Sequence, residues 1–190
     1  MGLLDTLLGR TKPVPPNLDQ LFALPGALLT LEAATDFRPT GTGSVCFRAA
    51  EGRAFADIEK DVTDLLNMGK DAAPVQVVTD SYQFTWVVVR HSADDPEGLV
   101  TDLHAVNSSL ESAGFGPQLL CTIVACKDTG GRSLGLVYLY KRGTFYPFAP
   151  LSGERRDNAL ELQMRSTLAD DLKVESDLGR WMPIWGAPGM

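Results

Sequence analysis

The stretch Leu119 to Phe148, LLCTIVACKDTGGRSLGLVYLYKRGTFYPF, decides the fold. Its apolar runs cover residues 119–127, 133–140 and 144–148. Two short turns separate them, one on Asp128-Thr129-Gly130-Gly131 and one on Lys141-Arg142-Gly143. Short runs rich in Val, Ile, Tyr and Phe, joined by glycine-containing turns, read as consecutive antiparallel strands. The last turn is flanked by Tyr138, Tyr140, Phe145, Tyr146 and Phe148, and Arg155 and Arg156 follow soon after. Ring surface at this density is buried in a core or offered to a partner.

Working outward, Leu160, Met164, Leu168 and Leu172 recur every four residues and predict a last long helix over 154–171. The tail that follows, DLGRWMPIWGAPGM, holds too many prolines and glycines for regular structure. It is too apolar to stand in solvent, so it is expected to lie across the body or a neighbour. Upstream, residues 75–79 and 83–90 read as a hairpin turning near Asp80-Ser81. The strand FTWVVVR is apolar on both faces, which suits an interior place in a sheet. Asp95 caps the next helix and Pro96 suits its first position. Leu99, Leu103, Val106 and Leu110 form its apolar stripe, and Gly114 is a stop signal.

Earlier still, residues 54–68 predict a helix buried through Phe55, Ile58, Val62, Leu65 and Leu66. FRPTGTG reads as a loop and residues 44–49 as a strand. Residues 28–34 fit strand or helix equally, and Asn17 suits the cap of a short helix over LDQLF. Hairpins and helices do not alternate one strand at a time, so a doubly wound parallel sheet is disfavoured. The expected class is α+β, a mainly antiparallel sheet with helices packed mostly on one face. The expected division is an arm and Pro-rich linker over 1–16, one domain over 17–175, and the Trp/Pro-rich tail over 176–190.

The chain has 190 residues, 44% hydrophobic and 22% charged, with a formal net charge of −7. One domain of this size buries a full core without metal or disulfide staples. The negative charge argues against nucleic acid as a partner, because phosphate binding wants a positive field. No apolar run approaches the roughly 18–20 residues of a membrane span. The N-terminus carries no export signal, so a cytoplasmic location is expected. Cys121 and Cys126, five apart on a strand, point to opposite faces. Cys46 could meet one of them, but three reduced, buried thiols are the simpler reading.

Reaction chemistry finds little footing. His91 and His104 have no second His or Cys at ligand spacing, so neither metal nor cofactor is expected. No nucleophile elbow occurs. Gly41-Thr42-Gly43-Ser44 precedes a strand and lacks a lysine, which suits a turn rather than a phosphate cradle. The carboxylates cluster on helix faces and at helix ends, as solvated or capping groups do. No catalytic residue is assigned.

Contact chemistry is better supplied. Leu3, Leu4, Leu7 and Leu8 fall on one face of a helical turn, and Pro13, Pro15 and Pro16 then make an extended tether. Full burial of the four leucines would stabilise a contact by roughly 6–10 kcal/mol. Docking on the chain's own body, on a protein partner or weakly on a membrane surface all fit. The second candidate contact surface is Lys141, Arg142, Phe145, Tyr146, Arg155 and Arg156, where arginines suit an acidic partner. The plain alternative puts those rings in the core and leaves the cations at an exposed hairpin tip.

MGLLDTLLGRTKP, FRPTGTGSVCFRAAEGRAF, DLHAVNSSLESAGFGPQLLC, YLYKRGTFYPFAPLSGERRDNALELQ and RWMPIWGAPG together resemble the actinobacterial PspA-associated PspAB family over nearly the whole chain. The resemblance implies an accessory protein of the phage-shock envelope-stress system, whose central member is a coiled-coil membrane-remodelling protein. A PspA-like coiled coil is then the expected partner, with the inner membrane face as a peripheral location. It carries over no catalytic residue. Three readings stand: a non-enzymatic accessory or regulatory binding protein, a small-ligand-binding or enzymatic domain with its site between sheet and helices, and a homodimeric chaperone-like module.

Overall fold

The computed structural model describes residues 16–48, 60 and 75–190. Leu3, Leu4, Leu7 and Leu8 lie outside the described residues, as does the helix expected over 54–68 except for Lys60, which is helical.

A six-stranded antiparallel sheet forms the centre. Its strands are β1 (Arg38–Arg48), β2 (Gln76–Thr79), β3 (Phe84–Arg90), β4 (Leu119–Lys127), β5 (Ser133–Leu139) and β6 (Thr144–Phe148). Their order is β2-β3-β1-β4-β5-β6. The consecutive strands read from 119–148 do pair in series, with Val124 opposite Leu136 and Val137 opposite Tyr146. The doubly apolar β3 is flanked on both sides, by β2 and β1.

Three helices, α1 (Leu24–Ala34), α2 (Pro96–Leu110) and α3 (Asn158–Thr167), cover one face of the sheet. The pleat divides each strand between two cores. Val45, Phe47, Val87, Val89, Val124, Leu136, Tyr138 and Phe145 face the helices. Cys46, Trp86, Val88, Cys121, Ile123, Val137, Tyr146 and Phe148 face away from them. The α+β class with helices on one face is therefore correct.

The ambiguous segment near residue 28 is helical. Pro25 starts α1, and Leu24, Ala27, Leu28 and Leu31 make the buried stripe that a strand would have split between two faces. α2 begins as expected: the Asp95 carboxylate accepts from the Gly98 amide at 2.9 Å, and all four stripe residues are buried.

Two expectations are corrected. FRPTGTG is largely strand, since β1 begins at Arg38. Its pairing with β4 shifts register between Pro39 and Gly43, which marks a bulge. Gly41 sits there at φ +73°, and its carbonyl accepts from the His91 amide at 2.8 Å. A Cβ on Gly43 would stand 2.7 Å from Leu103 Cδ1, so the missing side chain is what lets α2 lie close to the sheet.

The last helix is also shorter than 154–171. Pro150–Leu151 (β7) pairs with Arg155–Arg156 (β8) around Gly153 and Glu154, both left-handed. A helix cannot start through such a turn, so it starts where Asp157 accepts from the Leu160 amide at 3.0 Å. Leu168 and Leu172 lie beyond its end and are buried all the same.

Candidate functional site

The face of the sheet opposite the helices is covered by the tail. Residues 173–175 first run beside β6: the Phe145 amide donates to the Lys173 carbonyl at 2.9 Å, and the Glu175 amide to the Phe145 carbonyl at 2.7 Å. That protects a sheet edge. The chain then crosses the face. The Trp181 ring stacks on Tyr146 with centroids 5.9 Å apart, and its Nε1 donates to the Glu175 carbonyl at 3.0 Å. The Tyr146 hydroxyl donates to the Met182 carbonyl at 2.8 Å, and Trp185 meets Phe148 edge-on at 5.1 Å.

Between this strap and the sheet lies a cavity of about 440 Å³. Its floor is Cys46, Trp86, Cys121 and Tyr146, with Leu120 and Leu139 beside them. Met182, Pro183, Ile184 and Trp185 form its roof, and Arg48, Asp80, Tyr82 and Phe84 also line it. The turn at Asp80 is tightly organised. One carboxylate oxygen accepts from the amides of Tyr82 and Phe84 at 2.8 and 2.9 Å, and the other from Trp86 Nε1 at 2.8 Å. Tyr82 reaches away and donates to Glu154 Oε1 at 2.5 Å.

Cys46 and Cys121 are register partners across β1 and β4, and both thiols are free. The hydrogen bond between them, then burial, pushes the Cys46 thiol far up. Cys126, on the helical face, is pushed up to about 12 by burial. A thiol that resists ionisation is a poor nucleophile. Burial likewise raises Tyr146 well above the usual phenol value.

Two arginines of the expected contact surface are paired within the chain, Arg142 while still exposed. Arg142 Nε lies 3.4 Å from the Glu175 carboxylate, which also accepts from Thr144 Oγ1 at 3.0 Å. Arg156 Nε donates to Glu161 at 2.9 Å, and its guanidinium also bonds the Trp181 carbonyl. The two pairs stand at opposite ends of β6, so Lys141 and Arg142 do not form one patch with Arg155 and Arg156. Phe145 and Tyr146 are buried, one in each core, and neither offers its ring to a partner on the surface. Proximity along the chain suggested a single surface; the pleat and the length of β6 divide it. Lys141 and Arg155 are exposed.

His91 is more engaged than the sequence suggested. Asp95 lies 2.9 Å from its Nδ1 and Asp102 2.8 Å from its Nε2. Burial alone would lower its pKa; the bonds to Asp102 and Asp95 outweigh that and raise it. Among the described residues no group of three or more His, Cys, Asp or Glu side chains is placed to hold a metal ion. The cavity itself was missed in the sequence, although its parts left a trace: a tryptophan on a strand apolar on both faces, and an apolar tail that cannot fold by itself.

The architecture defines an α+β protein whose antiparallel sheet carries helices on one face and an irregular strap over a cavity on the other. The model of the family PspA associated protein B matches residues 1–189, and the chain belongs to that family. The family's name is one of association with PspA, an accessory role. Neither the curated proteins nor the solved structures contain a match. No helix among the described residues is long and apolar enough to cross a membrane.

Proposed function

We propose that this chain is a non-enzymatic accessory protein of the phage-shock envelope-stress response, acting in the cytoplasm by contact with a PspA-type coiled coil. The observation that carries this reading is a groove of about 330 Å³ between α3 and the strap. Leu162 and Leu178 line it while 46% and 50% exposed, with Arg156 and Asn158 beside them. Exposed Leu151 and Arg155 face each other on the adjoining β7–β8 hairpin. A groove of this kind suits one face of an amphipathic helix, and the exposed Arg155 on the adjoining hairpin suits an acidic side chain of that helix. Among the described residues, His91 lies between two carboxylates, and Glu161 and Glu175 are paired with arginines.

Leu3, Leu4, Leu7 and Leu8 supply a second contact in the same reading, to partner or membrane surface. Sedimentation of the full chain with a purified PspA-type partner tests both parts. The pair Leu162→Asp and Leu178→Asp should weaken binding at least about tenfold, the scale of losing one buried apolar anchor. Unchanged binding by that variant rejects the groove. Removal of residues 1–12 should weaken co-sedimentation without lowering the melting temperature.

A further inference from the structure

The cavity under the strap is lined by a residue set that shares nothing with the groove proposed for the partner. We propose that it binds a single-chain amphiphile with an anionic head. The alkyl chain would lie against Trp86, Leu120, Leu139 and Ile184, and the head at Arg48.

Three observations carry this. The volume, about 440 Å³, falls within the roughly 300–1,000 Å³ of small-molecule sites. The walls are aromatic and aliphatic, and the two thiols are free and soft. Apart from Arg48, the charged and hydroxyl-bearing side chains that touch the space hold hydrogen bonds within the chain. Tyr146 donates to Met182, Trp86 to Asp80, and Asp80 accepts from three N–H groups. An ordered water needs two to four polar partners, and this interior has few left to give. An alkyl chain needs none.

Charge sets the head group. The Asp80 carboxylate oxygens are already occupied by three N–H donors, whereas Arg48, an exposed side chain on the lining, makes no side-chain ion pair or hydrogen bond among the described residues. Among the described residues, the charged lining group with open hydrogen-bonding capacity is therefore the cation, and a carboxylate or phosphate is its complement.

Trp86 and Trp185 both line the space, so tryptophan emission reports occupancy directly. Full-length protein is titrated with octanoate, nonanoate and decanoate below their micelle concentrations. A saturable change is expected, with affinity rising about fourfold per added methylene. Decanoate should bind about fivefold tighter than decanol, the worth of one exposed ion pair, and tighter still than decylamine. Arg48→Gln should bring decanoate down to decanol, and Leu139→Phe should fill the cavity and abolish both. If Leu139→Phe does not fold, as judged by near-ultraviolet dichroism, Arg48→Gln decides alone.

Vesicles of phosphatidylglycerol provide the second arm. A response to them assigns the chain of a membrane lipid, and a response to free decanoate alone assigns a fatty acid. The proposal is overturned if neither gives a saturable change, or if binding is indifferent to both head charge and Arg48→Gln. Failure to bind a coiled coil would leave this result untouched.

Discussion

Half-buried Arg156 and buried Glu161 form an ion pair at 2.9 Å that ties β8 to α3. Glu161 also accepts from the Ala149 amide at 2.9 Å, and the Arg156 guanidinium lies 5.4 Å over the Phe148 ring while holding the Trp181 carbonyl. One side chain thus joins the end of the sheet, the last helix and the strap. Arg156→Ala would leave the Glu161 carboxylate buried without its partner. It should lower the unfolding free energy by about 3–5 kcal/mol, measured by urea titration. Adding Glu161→Leu should restore part of that loss, because the orphaned charge is then gone.

His91 should make stability depend on pH. Its folded-state pKa is raised above the ordinary 6.5, so its contribution is complete below 6.5 and is lost as the pH rises through the raised value. Asp95 works in the opposite sense. The Gly98 amide and then His91 hold its pKa below the ordinary 3.8, so its contribution is present above 3.8 and is lost as pH falls through the lowered value. Urea midpoints across pH should therefore decline on the alkaline side of 6.5, and His91→Gln should flatten that limb. An unchanged limb in His91→Gln would show that the charge of this imidazole does not matter.

The three cysteines should be inert in the native protein. All are buried, and Cys46 and Cys126 resist ionisation. An aromatic disulfide reagent near neutral pH should titrate none of them rapidly, and all three once guanidinium unfolds the chain. Rapid labelling of Cys46 or Cys121 alone would mean that the strap opens over them.

Gly41 should tolerate no side chain. Its φ is +73°, and a Cβ there would stand 2.2 Å from the His91 carbonyl oxygen. Gly41→Ala combines left-handed strain with a backbone collision and should cost at least about 2 kcal/mol by thermal denaturation. Gly26 is the control. A Cβ there meets nothing within 4 Å, so Gly26→Ala should be neutral or stabilising.

Much of the secondary structure was legible because its signals are local. The Asp95-Pro96 start, the four-residue stripe of α2, the Leu160-Met164 spacing of α3, and the turns at Asp128 and Lys141 each depend on neighbours a few residues away. Where the reading failed, a competing local signal was hidden. Glu154 adopts a left-handed turn that no helical periodicity reveals, and FRPTGTG looks like a loop until β4 and His91 pair with it.

The run FTWVVVR showed from residues alone that β3 is apolar on both faces, and the stripes read in α2 and α3 marked two of the helices that cover one of them. The sequence also placed Cys121 and Cys126 on opposite sides. Only the tertiary structure decided that the strap covers the second face, that Arg142 and Arg156 are spent on Glu175 and Glu161, and that an apolar hollow remains above Cys46 and Cys121. The reason is one of range. Periodicity and caps act within a few residues, whereas Tyr146 meets Met182 and Tyr138 meets the Asn17 carbonyl only after distant segments have been brought together by burial.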